Sequence, residues 1–539
     1  MLIPLLVVQV FTLSGCFKDK TETQTLRHAI PDDIVSVDPA VGYDLLSSFV
    51  VLNIYETLYE YSYTHSDGKI VPLLAADIPS YSKDGLTITI PIKRGVHFQD
   101  DPNFKATNAK GRELKASDFV YSFNRIKSPT LKSPGSFLFH FVEKVTAIDD
   151  YSLQIRLRNK YESFLHLLTL SFTAPVAHEV VDAYSDLNGE IKDRAVGTGP
   201  FVLKKWNKGK NIILEQNTNY HPCFYPSEGS NKLKKAGHLE DYGKRIPFLE
   251  QIVFSIIRDT EPLVEGVNSG SIDLVKGLDD EKLKNRTENR AEDQVDSYYL
   301  IFNMDNEIVG KRRSLRRGIS ASISRTKWID LLSNSRGKKQ TSLFSSNNSG
   351  TTFVYDYNIT EAKELLKKAG FRGVEGVPAL TLDLPGSDNT NRMIGEFFKH
   401  QLNKVGLKIE PVYNSFGSFF EKLRTKDFQI AYMGSVPEFQ SAEAILMLFY
   451  GPFSSPGPNL SNFRSHKFDR LFEKLQGTSN LKERDRLMAL MEKIVLDQVP
   501  WVLGYSLSDK WAVQPWVKNF KADSYPLAKH KYLRIIDKK

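Results

Sequence analysis

The chain has 539 residues, 41% of them hydrophobic and 25% charged, a composition that excludes wholesale disorder and a polytopic membrane protein. Its 72 Lys and Arg against 64 Asp and Glu leave a net charge of +8, a weak bias at this length. That bias suits a nearby anionic membrane surface better than dedicated nucleic-acid binding, which carries a dense basic stripe. Two cysteines exclude a disulfide framework and a Cys-rich zinc site.

Residues 1–15 carry no charge, and their apolar part is shorter than the ~20 residues of a membrane span. They fit the apolar region of a signal peptide. Leu13-Ser14-Gly15-Cys16 looks like a bacterial lipobox, in which small residues admit a peptidase and the Cys16 thiol receives a diacylglyceryl group. The mature chain would then begin at Cys16, with Lys18 to Thr23 as a polar tether. The alternative is a buried N-terminal strand or helix that ends in Cys. No Lys or Arg precedes the apolar stretch, a departure that leaves room for a start further upstream. With Cys16 lipidated, Cys223 has no intramolecular disulfide partner and reads as structural.

No repeat of 20–50 residues and no long low-complexity run is present. Leu86–Ile90 and Ser152–Leu157 alternate apolar and polar as half-buried strands do, and Pro91 marks the first as an edge strand or a strand end. Ile252–Ile257 is a continuous apolar run, as in a strand buried on both faces. The stretch 223–247, with Pro226 and the run Lys232-Leu-Lys-Lys235, reads as a surface insertion whose lysines form a solvated face, with contact to a partner or to lipid headgroups as the alternative. Helices are clearer further on. Asn358 with Glu361 forms a capping-box pair ahead of Ala362, Leu365, Leu366 and Ala369, and Gly370 stops that helix. Ile394, Phe397, Phe398, Leu402 and Val405 form a second stripe, and Phe468, Leu471, Phe472 and Leu475 a third. Asn480 with Glu483 repeats the cap before Leu487, Leu490, Met491 and Ile494, and Pro500 ends the helix.

Reaction motifs are missing: there is no G-x-S-x-G, H-E-x-x-H, Walker loop or G-x-G-x-x-G. His178-Glu179 lacks a second helical His. Asp32-Asp33, Asp149-Asp150 and Asp279-Asp280 are adjacent in sequence, so they point to different faces and read as turn residues. Triads assembled from distant residues stay open, but the pattern leans toward a binding protein.

Several segments in order resemble the oligopeptide/dipeptide substrate-binding proteins of ABC importers, solute-binding protein family 5, over about Leu26 to Val513. Val37-Asp38-Pro39-Ala40 is similar to that family's "LDP" turn, and Tyr55-Glu-Thr-Leu-Tyr59 to its "YETL" helix. Pro72-Leu-Leu-Ala75 resembles its "P-x-LA" segment, and Ile90–Phe98 with Ala116–Ser122 its extended signature. Gly197-Thr-Gly-Pro-Phe201 with Trp206, Ser269–Asp273 and Ser314–Ser320 follow in register. Lys115 stands where the family has a helix-capping Thr. The insertion resembles one carried by a subgroup with "YPSEG…D-x-GK-x-IPF".

The resemblance implies an α/β, bilobal periplasmic-binding-protein fold (class C type) with hinged lobes and an extra satellite domain. After a signal peptide over 1–15, lobe I would comprise 16–60, 195–290 and 505–539, the satellite domain 61–194, and lobe III 291–504. The ligand site maps onto Asp33, Ile34 and Val35 on one side. On the other it maps onto Gly434, Ser435, Val436 and Glu438, where Glu438 takes the place of the aspartate that holds a peptide's α-ammonium. Ser435 replaces a tryptophan, and Ser441-Ala442 replaces "DP". The implied protein is a monomeric, lipid-tethered, extracytoplasmic receptor that delivers oligopeptides to an ABC permease. It would have no enzymatic activity, cofactor, resident metal or nucleic-acid partner. The same fold with another ligand (a nickel chelate, heme, an oligosaccharide or a cell-wall peptide) is the alternative, and an exported hydrolase a third reading.

Overall fold

The computed structural model describes residues 24–42, 44–65, 68–278, 283, 288–291, 296–333, 336–344, 356–370, 376–435, 441–507, 510–522 and 528–536. Cys16, Asp279-Asp280, Val436 and Glu438 lie outside the described residues.

Two mixed sheets dominate. The first runs in the order Glu288–Ala291, Lys510–Val513, Leu274–Lys276, Thr25–Ile30, Gln251–Ile256, Asn211–Gln216, Phe201–Asn207. Thr25–Ile30 is parallel to both of its neighbours, and the remaining pairs are antiparallel. The second runs Lys338–Lys339, Trp501–Leu507, Asp296–Phe302, Ile430–Ser435, Leu380–Leu384, Ile409–Tyr413. The chain passes from the first sheet to the second between residues 291 and 296, and back between 507 and 510.

A smaller antiparallel sheet holds Ser80–Tyr81, Thr87–Pro91, Ser152–Leu157 and Val142–Asp149. Ser152–Leu157 alternates half-buried and buried positions, as its period-two pattern requires. Thr87–Pro91 ends at its proline but is an interior strand, because the short Ser80–Tyr81 pairs along its other side. Gln251–Ile256 is less enclosed than its run of apolar residues suggests. Ile252 and Phe254 are fully buried, while Val253 and Ser255 on the opposite face are half-covered.

The helices follow the apolar stripes. Ile359–Lys367 is capped by Asn358, whose side chain accepts from Glu361 N at 3.0 Å. The reciprocal half of the box is not made, because the Asn358 N–H donates to Ala321 O at 2.9 Å. Asn480 caps Leu481–Gln498 in the same manner, but Leu490 points outward and the buried line is Leu487, Met491 and Val495. Ahead of Ala116–Ile126, Lys115 supplies no side-chain cap. Asp118 reaches back to the Lys115 N–H at 2.9 Å and is held by Arg112 at 2.7 Å.

Residues that carried the resemblance turn out to be ties between segments. Asp38 is fully buried and accepts from Arg125 Nη1 at 2.8 Å and from Ile191 N at 2.9 Å. Glu56 accepts from Tyr220 Oη at 2.7 Å, His221 Nε2 at 2.9 Å and Thr198 Oγ1 at 3.0 Å. Burial alone would raise its carboxyl, but His221 beside it, with Lys531 and Tyr220, holds it below the ordinary value. Gly197 cannot be replaced freely, since a Cβ there would sit 2.1 Å from Ile54 O.

The insertion 223–247 is anchored as well as exposed. Lys234 and Lys235 face solvent, yet Tyr225 and Ile246 are buried against Tyr63 and Tyr532. One core unites the first sheet, the small sheet and the helices of 442–498, with Phe453 meeting Phe137 at 5.1 Å between ring centres. A second core lies between the second sheet and the helices Arg313–Ser322, Ile359–Lys367 and Asn389–Asn403.

Candidate functional site

Residues 33–35 follow the end of the strand Thr25–Ile30, bend at Val35 and pair with no strand. Their three N–H groups are already taken up locally. Asp33 N donates to Asp32 Oδ1 at 2.8 Å, Ile34 N to Asp33 Oδ1 at 2.9 Å, and Val35 N to Ser47 Oγ at 2.9 Å. Their carbonyls accept no hydrogen bond among the described residues. The segment can therefore receive donors from a ligand and has none of its own main-chain donors to give.

The Asp33 side chain is a brace. Its Oδ1 also accepts from Trp206 Nε1 at 2.8 Å, and its Oδ2 from Gly209 N at 2.6 Å, which ties the loop to the hairpin of Phe201–Asn207 and Asn211–Gln216. Asp32 is paired with Arg258 at 2.6 Å. Ser47 is positioned by the helix Leu45–Ile54, whose cap Asp44 accepts from Ser47 N at 2.9 Å. Burial pushes the Asp44 carboxyl up, against the lowering effect of the hydrogen bonds from Ser47.

On the second sheet Gly434 and Ser435 close the strand Ile430–Ser435, opposite Tyr298 and Ser297. Gly434 is exposed, and the space above its Cα belongs to Tyr298: a Cβ would lie 3.0 Å from Cε1 of that ring. Tyr298 in turn stacks on Tyr505 with ring centres 4.7 Å apart. The glycine's first role is thus to admit an aromatic ladder, which sequence reasoning missed although Tyr298-Tyr299 stood in an apolar run. Beyond 436–440, Ser441 caps the helix Ala442–Met447 by accepting from Glu443 N at 3.2 Å, so a cap survives the loss of "DP". Glu443 is fully buried beside Arg484. Burial raises its carboxyl, and Arg484 works in the opposite direction.

Across the described residues, no group of three His, Cys, Asp or Glu side chains stands together as metal ligands would. What the two segments offer is main-chain carbonyls on one side and an open glycine beside stacked rings on the other. A family model for bacterial extracellular solute-binding proteins, family 5 (middle part), matches residues 69–457. The chain belongs to this family. Its relatives include the oligopeptide-binding protein OppA of Bacillus subtilis, 22% identical over 92% of this chain and 89% of that one. Heme-binding protein A of Haemophilus influenzae is 23% identical over 83% of this chain and 81% of its own length. Among solved structures, the ABC transporter-associated periplasmic binding protein DppA of Helicobacter pylori, in complex with the peptide STSA, superposes with a TM-score of 0.81. That match covers 95% of this chain and 98% of DppA at 22% identity, and it shows the periplasmic-binding-protein fold. No helix among the described residues of this family 5 chain is long and apolar enough to cross a membrane.

Proposed function

We propose that this chain is an extracytoplasmic receptor that closes two lobes over a peptide and delivers it to an ABC import permease. The observation that carries the reading is the polarity of residues 33–35. Three successive N–H groups are satisfied internally and the three carbonyls beside them accept nothing among the described residues. An extended peptide supplies the matching N–H donors whatever its side chains, which is how a tolerant receptor gains affinity from main-chain bonds. In this reading lobe I (16–60, 195–290 and 505–539) carries the 33–35 side, and lobe III (291–504) carries Gly434 to Glu438. The satellite domain spans 61–194. Glu438 pairs with the peptide's ammonium, and Gly434, Ser435 and Val436 flank its backbone. The ligand shifts the lobes toward closure through contacts that exist only in the closed form. Cys16 is the proposed lipid attachment, which keeps the receptor near its permease and raises its effective concentration. The receptor works as a monomer and catalyses no reaction.

The test is native mass spectrometry of the purified chain after equilibration with a mixed peptide pool. Retained, intact peptides are expected. Retention of a non-peptide ligand such as heme with no peptide uptake, or the appearance of cleaved fragments, would overturn the proposal.

A further inference from the structure

The insertion and the C-terminal residues 518–536 line an open pocket of about 460 Å³, with His238, Glu240, Lys518, Asn519 and Arg534 among its walls. Lys518 and Arg534 face each other directly across the two-stranded ribbon of Val517–Lys518 and Arg534–Ile535. Like charges placed opposite one another on a ribbon repel, and the arrangement is relieved by an anion between them.

The guanidinium is held ready for one. Its Nε donates to Oδ2 of Asp241 at 3.0 Å, and Asp241 is fully buried and also accepts from Asn519 Nδ2 at 2.7 Å and Lys244 Nζ at 2.7 Å. The two terminal nitrogens of Arg534 and the ammonium of Lys518 have no partner among the described residues. A fork fixed at one edge and free at its tip matches the paired oxygens of a phosphate. The one acid among the lining residues, Glu240, lies beside Gly237.

We propose that this pocket binds the phosphate of an anionic phospholipid headgroup. The volume exceeds what a bare phosphate fills. The same insertion exposes Lys234 and Lys235, together with Phe224 at 57% and Tyr242 at 63% exposure. Exposed lysines beside exposed aromatic rings are the composition of a surface that rests at the headgroup level of an anionic leaflet. The receptor would then lie against the membrane on its insertion face, independently of what its cleft holds.

The experiment measures partition of the full chain onto phosphatidylglycerol and phosphatidylcholine vesicles, for the wild type and for Lys518→Ala and Lys518→Gln. All three proteins keep the same N-terminus, so any contribution from it cancels in the comparison. Binding to phosphatidylglycerol alone is expected, weakened about fivefold in both variants, with peptide affinity unchanged. Equal partition of wild type and variants would overturn the proposal. So would saturable binding of inorganic phosphate, lost in Lys518→Ala, without any preference for phosphatidylglycerol, since the pocket would then serve free phosphate.

Discussion

The indole N–H of Trp206 donates to Oδ1 of Asp33 at 2.8 Å, bridging 173 residues of sequence. The same oxygen accepts the Ile34 N–H, and the other carboxylate oxygen accepts the Gly209 N–H. One side chain therefore fixes both the orientation of the 33–35 carbonyls and the position of the hairpin behind them.

Trp206→Phe keeps most of the ring and removes the donor. Hydrogen bonds to a charged group contribute about 1.5–3 kcal/mol, less where water competes. The half-buried Asp33 keeps its two main-chain donors, so the fold should be weakened by only about 1 kcal/mol. Ligand affinity is expected to fall as well, read by calorimetry, because the brace sets the 33–35 carbonyls. Unchanged affinity would detach the brace from binding.

Two glycines give opposite outcomes. Gly197→Ala forces a Cβ to within 2.1 Å of Ile54 O, a backbone atom that cannot step aside. It should cost about 3 kcal/mol or prevent folding. Gly434→Ala places its Cβ 3.0 Å from a Tyr298 ring carbon on an exposed strand end, and that ring can tilt. Stability should change by less than about 1 kcal/mol while ligand affinity drops. Urea denaturation and calorimetry on the two variants separate the effects.

Stability should decline in acid because of a buried histidine pair. His28 Nδ1 lies 3.1 Å from His530 Nε2, and Asn53 Nδ2 is 3.0 Å from His530 Nδ1. Burial first, and Lys529 second, carry His28 down from 6.5 to about 3, and burial drives His530 well below its ordinary value. Between pH 6.5 and about 3 the unfolded chain binds a proton at His28 that the folded chain refuses. Unfolding is favoured progressively over that window, by at most ~1.4 kcal/mol per pH unit for each histidine, and the loss is absent above pH ~7. Urea midpoints at pH 7 and pH 5 should differ, and the difference should shrink in His28→Gln.

The sequence made the helices legible where one stripe and one cap sufficed. Asn358 and Asn480 cap as their spacing predicts. What defeated the reading was tertiary competition. The Asn358 N–H went to Ala321 rather than Glu361, and Val253 lost full cover because its face of the first sheet is only partly packed. At the site, Asp33 was legible through a family resemblance alone. Its bond to Trp206 depends on a hairpin that no local pattern connects to residue 33. Gly434 was likewise named through the resemblance, and Tyr298, which sets its limits, comes from a neighbouring strand more than a hundred residues earlier.

The proposed function turns on Glu438 pairing with a peptide's amino end while the peptide's side chains are largely ignored. Calorimetric titration of wild type and Glu438→Ala with one peptide, in free-amino and N-acetylated forms, tests it most directly. Truncating one partner of a buried pair costs about 3–5 kcal/mol. The substitution should therefore weaken the free-amino peptide by about a hundredfold or more and leave the acetylated form nearly unchanged. Equal losses for both forms, or no loss for either, would contradict the account.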